Sequence, residues 1–261
     1  MSGSPLRIEL QVVSSVNHLC KSFVQVVAPT TKTLLSRIEL VCNMIELSDT
    51  GMNIIKQSIG SGPLQWVTQD YRNYGNNVSL GTAVTSVSVP VPAKFNSLNS
   101  LFFSFRQSSA GVWKQHALES NDYKMEEYFL RVGSRTMPTK PPSTSAEFYS
   151  ELLRAFGTVT DVNQECSLTI EQYTKDAPVM MVGAEGAGAQ STGGFYVGVD
   201  LESYSNTSND TIYSGTNTST DDIFGVFRFA GQVGATNIRI DAYALFDQLV
   251  LIQNGTCTVN Y

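Results

Sequence analysis

Apolar and polar positions alternate along much of the chain, and this period of two predicts β-strands. In residues 86–91 every second residue is valine, with serine or proline between. Because neighbouring side chains of a strand point to opposite faces, we expect one face to be buried and the other exposed. Pro90 and Pro92 cannot donate to a ladder, so this strand ends there or lies at a sheet edge. Similar patterns predict strands at 6–13, 22–27, 34–47, 64–70, 78–91, 101–106, 123–132, 167–173, 195–204, 222–230 and 236–246.

The last twelve residues, 250–261, are expected to fold back on themselves as a hairpin. Asn254 and Gly255 are the two residue types that accept positive φ in a two-residue hairpin turn. Counting outward pairs Gln253 with Thr256, Ile252 with Cys257, Leu251 with Thr258 and Val250 with Val259. This register puts the apolar members of the hairpin on one face, so we expect the chain to end in a buried hairpin.

Two short helices interrupt the strands. The first, over 48–59, is followed by the helix-ending Gly60. The second begins with the capping-box pattern of Thr144 and Glu147 and ends at Gly157. From residue 60 onward the strands number about eight, as in a jelly roll. The predicted fold class is all-β: an antiparallel jelly-roll sandwich with one or two short helices and an extra N-terminal strand segment.

Two segments have the composition of surface loops. Residues 183–194 are rich in glycine and alanine, and residues 205–220 are almost wholly Ser, Thr, Asn, Asp and Gly. The glycines of the first do not match a nucleotide-binding pattern, and no helix follows them. The acidic residues in or beside the second are too sparse for a calcium loop. Whether either loop binds a receptor or a glycan stays open.

The composition argues against several classes of function. The chain has 261 residues, 15% of them charged, with a net charge of −6 and a pI near 4.9. A duplex-binding surface needs clustered Lys and Arg, which this sequence lacks, so direct binding of nucleic acid is not expected. No apolar run is long enough for a membrane span, and the N-terminus does not resemble a signal peptide. We therefore expect synthesis in the cytosol and no secretion.

Catalytic and metal-binding patterns are also missing. The cysteines Cys20, Cys42, Cys166 and Cys257 form no C-x-x-C pair, and free thiols are favoured over disulfides, whose state stays open. His18 and His116 are the only histidines, and neither has a recognisable nucleophile partner. The pairs Glu126–Glu127 and Asp221–Asp222 are adjacent, so on a strand their members would point to opposite faces. We predict no enzyme, no cofactor and no catalytic, cofactor-binding or metal site.

A group of aromatic residues provides an alternative. Trp66, Tyr71 and Tyr74 lie in and just after the predicted strand 64–70 and could stack on a sugar ring. Packing in the sandwich core or against another subunit accounts for them at least as well. A carbohydrate-binding or adhesive β-sandwich is therefore the second hypothesis.

A series of segments, in a fixed order, carries a family resemblance. They are Arg37-Ile-Glu-Leu-Val, Ile45-Glu-Leu-Ser-Asp with the helix after it, Val89-Pro-Val-Pro-Ala-Lys-Phe, Leu98-Asn-Ser-Leu-Phe-Phe-Ser-Phe-Arg, Tyr128-Phe-Leu-Arg-Val-Gly-Ser-Arg with Pro138 to Pro142, Glu147-Phe-Tyr-Ser-Glu-Leu, Ile238-Arg-Ile-Asp-Ala-Tyr and Val250-Leu-Ile-Gln-Asn-Gly. Over 33–261 they resemble the major capsid proteins of double-jelly-roll DNA viruses, especially the Polinton-like, adintovirus-like and virophage groups.

This resemblance implies a structural protein of the virion: one subunit of a trimeric, pseudo-hexagonal capsomer that tiles an icosahedral shell. A double jelly roll needs about twice this length. By analogy, 1–47 resembles the last strands of a first barrel, 48–59 a linker helix and 60–261 the second barrel. The implied partners are copies of the chain, neighbouring capsid proteins and, if the protein is divided, a companion chain that supplies the other barrel. The sequence leaves open a single-barrel relative.

Overall fold

The computed structural model describes residues 8–10, 36–41, 43, 46–60, 62–80, 86–107, 120–159, 166, 168–170, 173, 178–179, 190–191, 194–202, 214–230, 236–253 and 256–261. The two helices are α1 (Asp49–Ile59) and α2 (Ser145–Ala155). The strands are β1 (Leu64–Leu80), β2 (Ser86–Val91), β3 (Leu98–Gln107), β4 (Met125–Val132), β5 (Arg135–Met137), β6 (Pro178–Val179), β7 (Gln190–Ser191), β8 (Tyr196–Asp200), β9 (Ile223–Phe229), β10 (Thr236–Gln253) and β11 (Thr256–Asn260).

Eight of these strands form two facing sheets. The first has the order β1-β10-β3-β8, with β11 added to β10, and the second has the order β2-β9-β4-β5. The eight strands pair first with last, second with seventh, third with sixth and fourth with fifth, always antiparallel. This nested pairing is that of a jelly roll. The predicted fold class, an antiparallel jelly-roll sandwich with two short helices, is confirmed.

Aromatic side chains fill the space between the sheets. Phe103 and Phe105 of β3 are fully buried, as is Phe227 of β9 in the opposite sheet. The ring of Phe227 meets the other two edge to face, at centroid distances of 5.1 and 4.9 Å. Burying such a side chain stabilises the fold by roughly 1.5–3 kcal/mol. The core thus ties the two sheets together through rings whose alternation was visible in the sequence.

The boundaries of several strands differ from the prediction. Predicted strand 64–70 continues to Leu80, because all seventeen residues pair with β10. Predicted strand 78–91 is divided, with its start in β1 and its end in β2, and 81–85 lie outside the described residues. The predicted strand 167–173 is wrong where it is described, because the Tyr173 N–H donates to the Thr169 carbonyl, a helical contact.

The extra N-terminal strand is not formed in the part that the structure describes. Residues 36–41 have no strand pairing, and the side chains of Ile38 and Leu40 are 63% and 61% exposed. No described strand lies beside them to receive their backbone groups. The predicted strands at 6–13 and 22–27 lie outside the described residues, apart from 8–10. The division into 1–47, 48–59 and 60–261 stays a prediction.

The C-terminal hairpin has the predicted register but not the predicted burial. Gln253 pairs with Thr256, and Val250 pairs with Val259. Val250 is buried, whereas all five residues of β11 are exposed. The expectation of a buried hairpin is therefore wrong, since little of the other sheet covers this end. The turn residues 254–255 lie outside the described part of the chain.

Helix α2 has the predicted termini. The Thr144 hydroxyl accepts from the Glu147 N–H at 3.2 Å, as an N-cap should. At the other end the Gly157 N–H donates to Arg154 and the Thr158 N–H to Leu153, the paired bonds of a Schellman motif. Gly157 has φ +74°, which a residue without Cβ adopts at little cost. In helix α1, Ser48 caps the N-terminus, because its hydroxyl accepts from the Gly51 N–H.

The second predicted loop, 205–220, is partly built into the sandwich. Thr216 bridges Leu98, and the Thr218 side chain is fully buried. The Thr218 hydroxyl donates to the Ala93 carbonyl at 2.8 Å and accepts from the Phe95 N–H. Residues 214–220 are therefore framework and not a projecting loop, because their hydroxyl and backbone groups complete the start of β3. Residues 203–213, and most of the first predicted loop, lie outside the described residues.

Cys166 and Cys257 are free thiols, as favoured from the sequence, while Cys20 and Cys42 lie outside the described residues. Neither described helix is long and apolar enough to cross a membrane.

Candidate assembly surface

One end of the first sheet is closed. Its terminal strand β8 has only five residues, and two tyrosines from elsewhere reach the carbonyls on its outer side. The Tyr128 hydroxyl donates to the Gly198 carbonyl and the Tyr173 hydroxyl to the Tyr196 carbonyl, both at 2.9 Å. These bonds occupy groups that a further strand would otherwise bind. A sheet edge satisfied in this way cannot easily accept another chain.

Helix α2 lies against the same strand. Gly198 makes this approach possible, since a Cβ there would stand 2.8 Å from the Ala155 Cβ and 3.2 Å from the Leu152 Cδ1. Leu152 is fully buried in this contact. The Ser100 hydroxyl of β3 also donates to the Ala155 carbonyl, at 3.0 Å. Helix and hydroxyls together cover the β8 end of the sheet.

Burial changes the acidity of the two covering tyrosines. It raises the pKa of the Tyr128 hydroxyl and the pKa of the Tyr173 hydroxyl well above the ordinary value. Both are donors to backbone carbonyls and must keep their protons to remain so. The two tyrosines are thus neutral hydrogen-bond donors at physiological pH.

The opposite end of this sheet is open. Its terminal strand β1 has seventeen residues, paired on one side with β10, and no described strand pairs with its other side. At this side the Tyr71 N–H donates to the neighbouring Asp70 carboxylate at 2.8 Å. Antiparallel ladders alternate, so the odd-numbered residues of β1 point their backbone groups the same way as Tyr71. We call this side of β1, with which no described strand pairs, the open edge.

The edge strands of the second sheet are poorer templates for pairing. β5 has three residues, and β2 has six, among them Pro90, which has no N–H to donate. Short strands and edge prolines are common devices against association through sheet edges. Among the edge strands that the structure describes, β1 therefore offers the longest edge for pairing with another strand.

The open edge adjoins an apolar face at the end of the sheet. There β1, β10 and β11 run side by side, and Leu64, Trp66, Ile252 and Val259 share one face with the buried Val250. Trp66 and Val259 are each 42% exposed, and Leu64 and Ile252 are half-buried. This face, which we call the terminal face, continues the core side of the sheet. Exposed apolar side chains grouped in this way are typical of interaction sites.

Arg72 marks the boundary between the terminal face and the core. Its guanidinium lies over the ring of Tyr261, 4.7 Å from the centroid, and over the rings of Phe95 and Phe246 at 5.4 and 5.6 Å. Phe95 and Phe246 are themselves stacked at 3.9 Å. The last residue of the chain is thereby held against β1, although its own side chain is 46% exposed. Such cation–π contacts contribute roughly 0.5–1 kcal/mol each at exposed positions.

The outer face of the sheet carries a buried carboxylate. Asp241 is 1% exposed and makes ion pairs with Arg106 at 2.7 Å and with Arg239 at 2.9 Å. Gly75 of β1 leaves room for this group, because a Cβ there would stand 2.8 Å from an Arg239 nitrogen and 2.9 Å from an Asp241 oxygen. These ion pairs link β10 to β3 on the outer face of the sheet, beside Gly75 of β1. It is a structural cross-link between strands.

A second polar cluster fixes the start of β3. The Asp247 carboxylate accepts from the Ser97 hydroxyl at 2.6 Å and from the Asn99 amide at 2.8 Å. Nearby, burial raises the pKa of the Asp200 and Glu202 carboxyls, and the charge of Asp200 raises that of Glu202 further. Among the described residues, no group of His, Cys, Asp or Glu has the arrangement of a metal site.

The structure separates most of the residues that the sequence suggested for chemistry. Trp66 and Tyr74 lie on one face of β1 and Tyr71 on the other, so the three do not form one stacking platform. His18 and His116 lie outside the described residues.

The acidic residues that are adjacent in sequence make separate contacts. Glu127 of β4 forms an ion pair with Arg228 of the neighbouring strand β9, and Asp222 forms one with Lys94. The tyrosine contacts at β8 and the open edge have no signal in the sequence, because they depend on strand order and not on local pattern.

Comparison with models of protein families and with curated proteins finds no match. Among solved structures, the chain is similar to that of the PBCV-1 virus capsid, with 7% identity over 80% of this chain and 54% of that chain, at a TM-score of 0.47. The likeness to the Sputnik virophage structure has 12% identity over 76% of this chain and 39% of that chain, at a TM-score of 0.44.

The mavirus major capsid protein is similar as well, with 9% identity over 78% of this chain and 42% of that chain, at a TM-score of 0.43. The three structures come from virus particles or their capsid proteins. This chain spans 54% or less of the length of these three chains. The jelly-roll assignment rests on the strand pairing within this chain, independently of these likenesses.

Proposed function

We propose that the chain is a structural subunit of a viral capsid, which assembles with copies of itself into the shell. One observation carries the proposal: several segments of the family resemblance overlap the framework strands of a jelly roll. Residues 89–91 lie in β2, 98–106 in β3, 128–132 in β4 and 238–243 in β10. These segments thus supply strands to both sheets of the sandwich.

The surface described above supports the same role. A shell protein needs a rigid body and large contacts with its neighbours, and stable interfaces bury at least ~1,000 Å². The closed end, the aromatic core and the buried ion pairs make the sandwich rigid. The open edge and the terminal face are the surfaces left for neighbours.

In finer detail, we propose a trimeric, pseudo-hexagonal capsomer in an icosahedral virion, with neighbouring capsid proteins as further partners. Residues 1–47 would complete or pair with another barrel, 48–59 would link it and 60–261 would be the jelly-roll domain. The exposed side chains of Ile38 and Leu40 support a role in pairing for the first segment. The work of the chain in this proposal is mechanical, without catalysis or direct contact with nucleic acid.

The experiment is to measure the mass of the purified native chain by light scattering over rising concentration, with electron microscopy of the products. We expect trimers or larger assemblies, and ordered arrays or shells at high concentration. A chain that stays monomeric at every concentration, or that binds glycans with a change in the fluorescence of Trp66, would contradict the proposal.

A further inference from the structure

The two charges of β1 are complementary when two copies of the strand lie antiparallel to each other. Its seventeen residues include two charged ones, Asp70 and Arg72, on either side of Tyr71 near the middle of the strand. Both belong to the even-numbered set, on the face with Trp66, while the odd-numbered residues direct their backbone groups to the open edge. A two-fold rotation about an axis at Tyr71 places Asp70 of one strand opposite Arg72 of the other.

We propose that a second copy of this chain pairs its own β1 along the open edge, antiparallel and around a two-fold axis at Tyr71. This deepens the proposed function, on which it rests, by naming one contact between subunits. It makes a symmetric interface, in which the same surface of both copies is used. The two first sheets would become one continuous sheet across the axis.

Charge selects this register among its neighbours. An axis at Asp70 would place that carboxylate opposite its own copy, and an axis at Arg72 would place two guanidinium groups opposite each other. An axis at Tyr71 places Asp70 opposite Arg72 of the second copy, twice. Opposite charges in directly facing positions of a sheet attract each other and favour pairing, and like charges there repel each other and oppose it.

The backbone agrees with the same register. Tyr71 would face Tyr71 as a hydrogen-bonded pair once its N–H leaves the Asp70 carboxylate, which would turn to Arg72 of the second copy. Gln69 would face Asn73 in the next such pair. From Val67 to Gly75 the two strands would exchange about ten hydrogen bonds, counted from the alternation of an antiparallel ladder. Asp70 and Arg72 would face each other in the narrow pairs between, where the Cα atoms are only about 4.5 Å apart.

The exposed tryptophan gains a neighbour in this arrangement. Trp66 would stand opposite Asn76 of the second copy. In the structure the Asn76 amide donates to the Pro90 carbonyl of β2 at 3.2 Å, so the second sheet comes close to β1 at this point. The second sheet of the other copy would therefore lie beside Trp66, whose side chain is 42% exposed in one copy alone. Tryptophan is enriched in the buried centres of interfaces.

Two charge-reversed variants test the pairing. Asp70→Lys places two like-charged pairs across the axis, and so does Arg72→Glu. We expect each variant alone to self-associate about tenfold more weakly than the native chain, or worse, since two attractive pairs become repulsive. An equimolar mixture should recover the native affinity, because each introduced charge then faces its opposite. Sedimentation velocity on the single variants and on the mixture measures this.

A second pair of variants decides the matter if a charge-reversed variant does not fold. Asn73→Pro removes an N–H that points to the open edge and leaves the ladder with β10 intact. Asn73→Thr keeps the N–H and is the matched control. We expect the proline variant to lose the two-fold contact while its thermal unfolding stays cooperative, and the threonine variant to associate like the native chain.

The outcomes separate this inference from the proposed function. A mixture that associates no better than either charge-reversed variant, or a proline variant that associates like its control, would overturn the pairing of β1. If that happened while the native chain still formed trimers or shells, the capsid role would stand without this contact. A native chain that stays monomeric at every concentration would overturn both.

Discussion

The two ends of one sheet are finished in opposite ways. At β8 the strand is short, its outer carbonyls accept from Tyr128 and Tyr173, and helix α2 covers it. At β1 the strand is seventeen residues long, and its outer side has no partner among the described strands. Both ends belong to the same jelly roll, so the fold as such does not require either finish.

In the proposed assembly, the covered edge at β8 would face solvent and the edge at β1 would pair with a neighbouring chain. Unpaired strand edges promote association, and proteins usually cover, shorten or interrupt them. This chain applies those devices at β8, β5 and β2, whereas β1 is long and has no described strand on its outer side. A selective exception of this kind is expected of an edge that another chain occupies.

Opening the closed end should have the largest effect. Leu152→Ala removes a fully buried side chain between α2 and Gly198, which should lower the free energy of unfolding by about 2–5 kcal/mol. Urea denaturation measures the loss. The exposed Ser150→Ala on the same helix is the control and should stay within about 0.5 kcal/mol of the native value. Equal effects from the two would mean that α2 does not close the sheet.

Two glycine substitutions compare the ends directly. Gly198→Ala would push its Cβ into the backbone-anchored Ala155 and should cost about 1–3 kcal/mol. Gly75→Ala in β1 meets the end of the Arg239 side chain, which can move, and one oxygen of the buried Asp241, so we expect a smaller cost of about 1 kcal/mol. Thermal unfolding ranks the pair. A larger loss at Gly75 would reverse the comparison.

Alkaline pH should loosen the closed end. Burial raises the pKa of Tyr128 and Tyr173 in the folded state above the ordinary value of 10.0. A group whose pKa is raised by folding contributes its full stability below its unfolded pKa, and this contribution is lost as the pH rises beyond it. We expect the free energy of unfolding to fall above about pH 10. Tyrosinate absorbance and denaturation followed against pH test this.

The matched variants are Tyr128→Phe, which should weaken the pH dependence, and Tyr71→Phe on the open edge, which should change it less. Tyr128→Phe should itself cost roughly 1 kcal/mol, because the Gly198 carbonyl loses its donor. If the pH dependence is the same in Tyr128→Phe and in the native chain, ionisation of Tyr128 does not cause the loss of stability at alkaline pH.

The smallest effect concerns the cap of α2. Hydrogen bonds from Lys140 and from the Ser143 N–H lower the pKa of Glu147 from 4.5 to about 2. Its contribution to stability is therefore present above the ordinary pKa and is lost as the pH falls toward 2. Lys140→Met should raise the pKa of Glu147, as measured by NMR titration, with little change in stability because both groups are largely exposed. An unchanged pKa would mean that Lys140 does not hold the carboxylate.

Local pattern predicted the framework well. The alternating valines of β2, the capping residues of α2 and the register of the C-terminal hairpin were all readable, since each depends on residues close in sequence. The length of β1 was not. Its second half, with Asn73, Gly75 and Asn76, has little strand propensity, and its pairing comes from the seventeen facing residues of β10.

Contacts between distant segments account for the other errors. The alternation at β11 predicted a buried face, but burial depends on where the second sheet ends, which no local pattern reports. The polar composition of 214–220 indicated a loop, yet Thr218 is buried because its hydroxyl satisfies the backbone around Phe95. The approach of α2 to Gly198 and the reach of the Tyr128 hydroxyl likewise exist only once the sheets have assembled.

The most direct test of the open edge is amide hydrogen exchange along β1 in the assembled and the dissociated chain. The amides of Val67, Gln69 and Asn73 point outward and should exchange fast in the free chain but slowly in the assembly. Those of Asp70 and Arg72 face β10 and should be protected in both states. Outward amides that still exchange fast in the assembled protein would contradict the account.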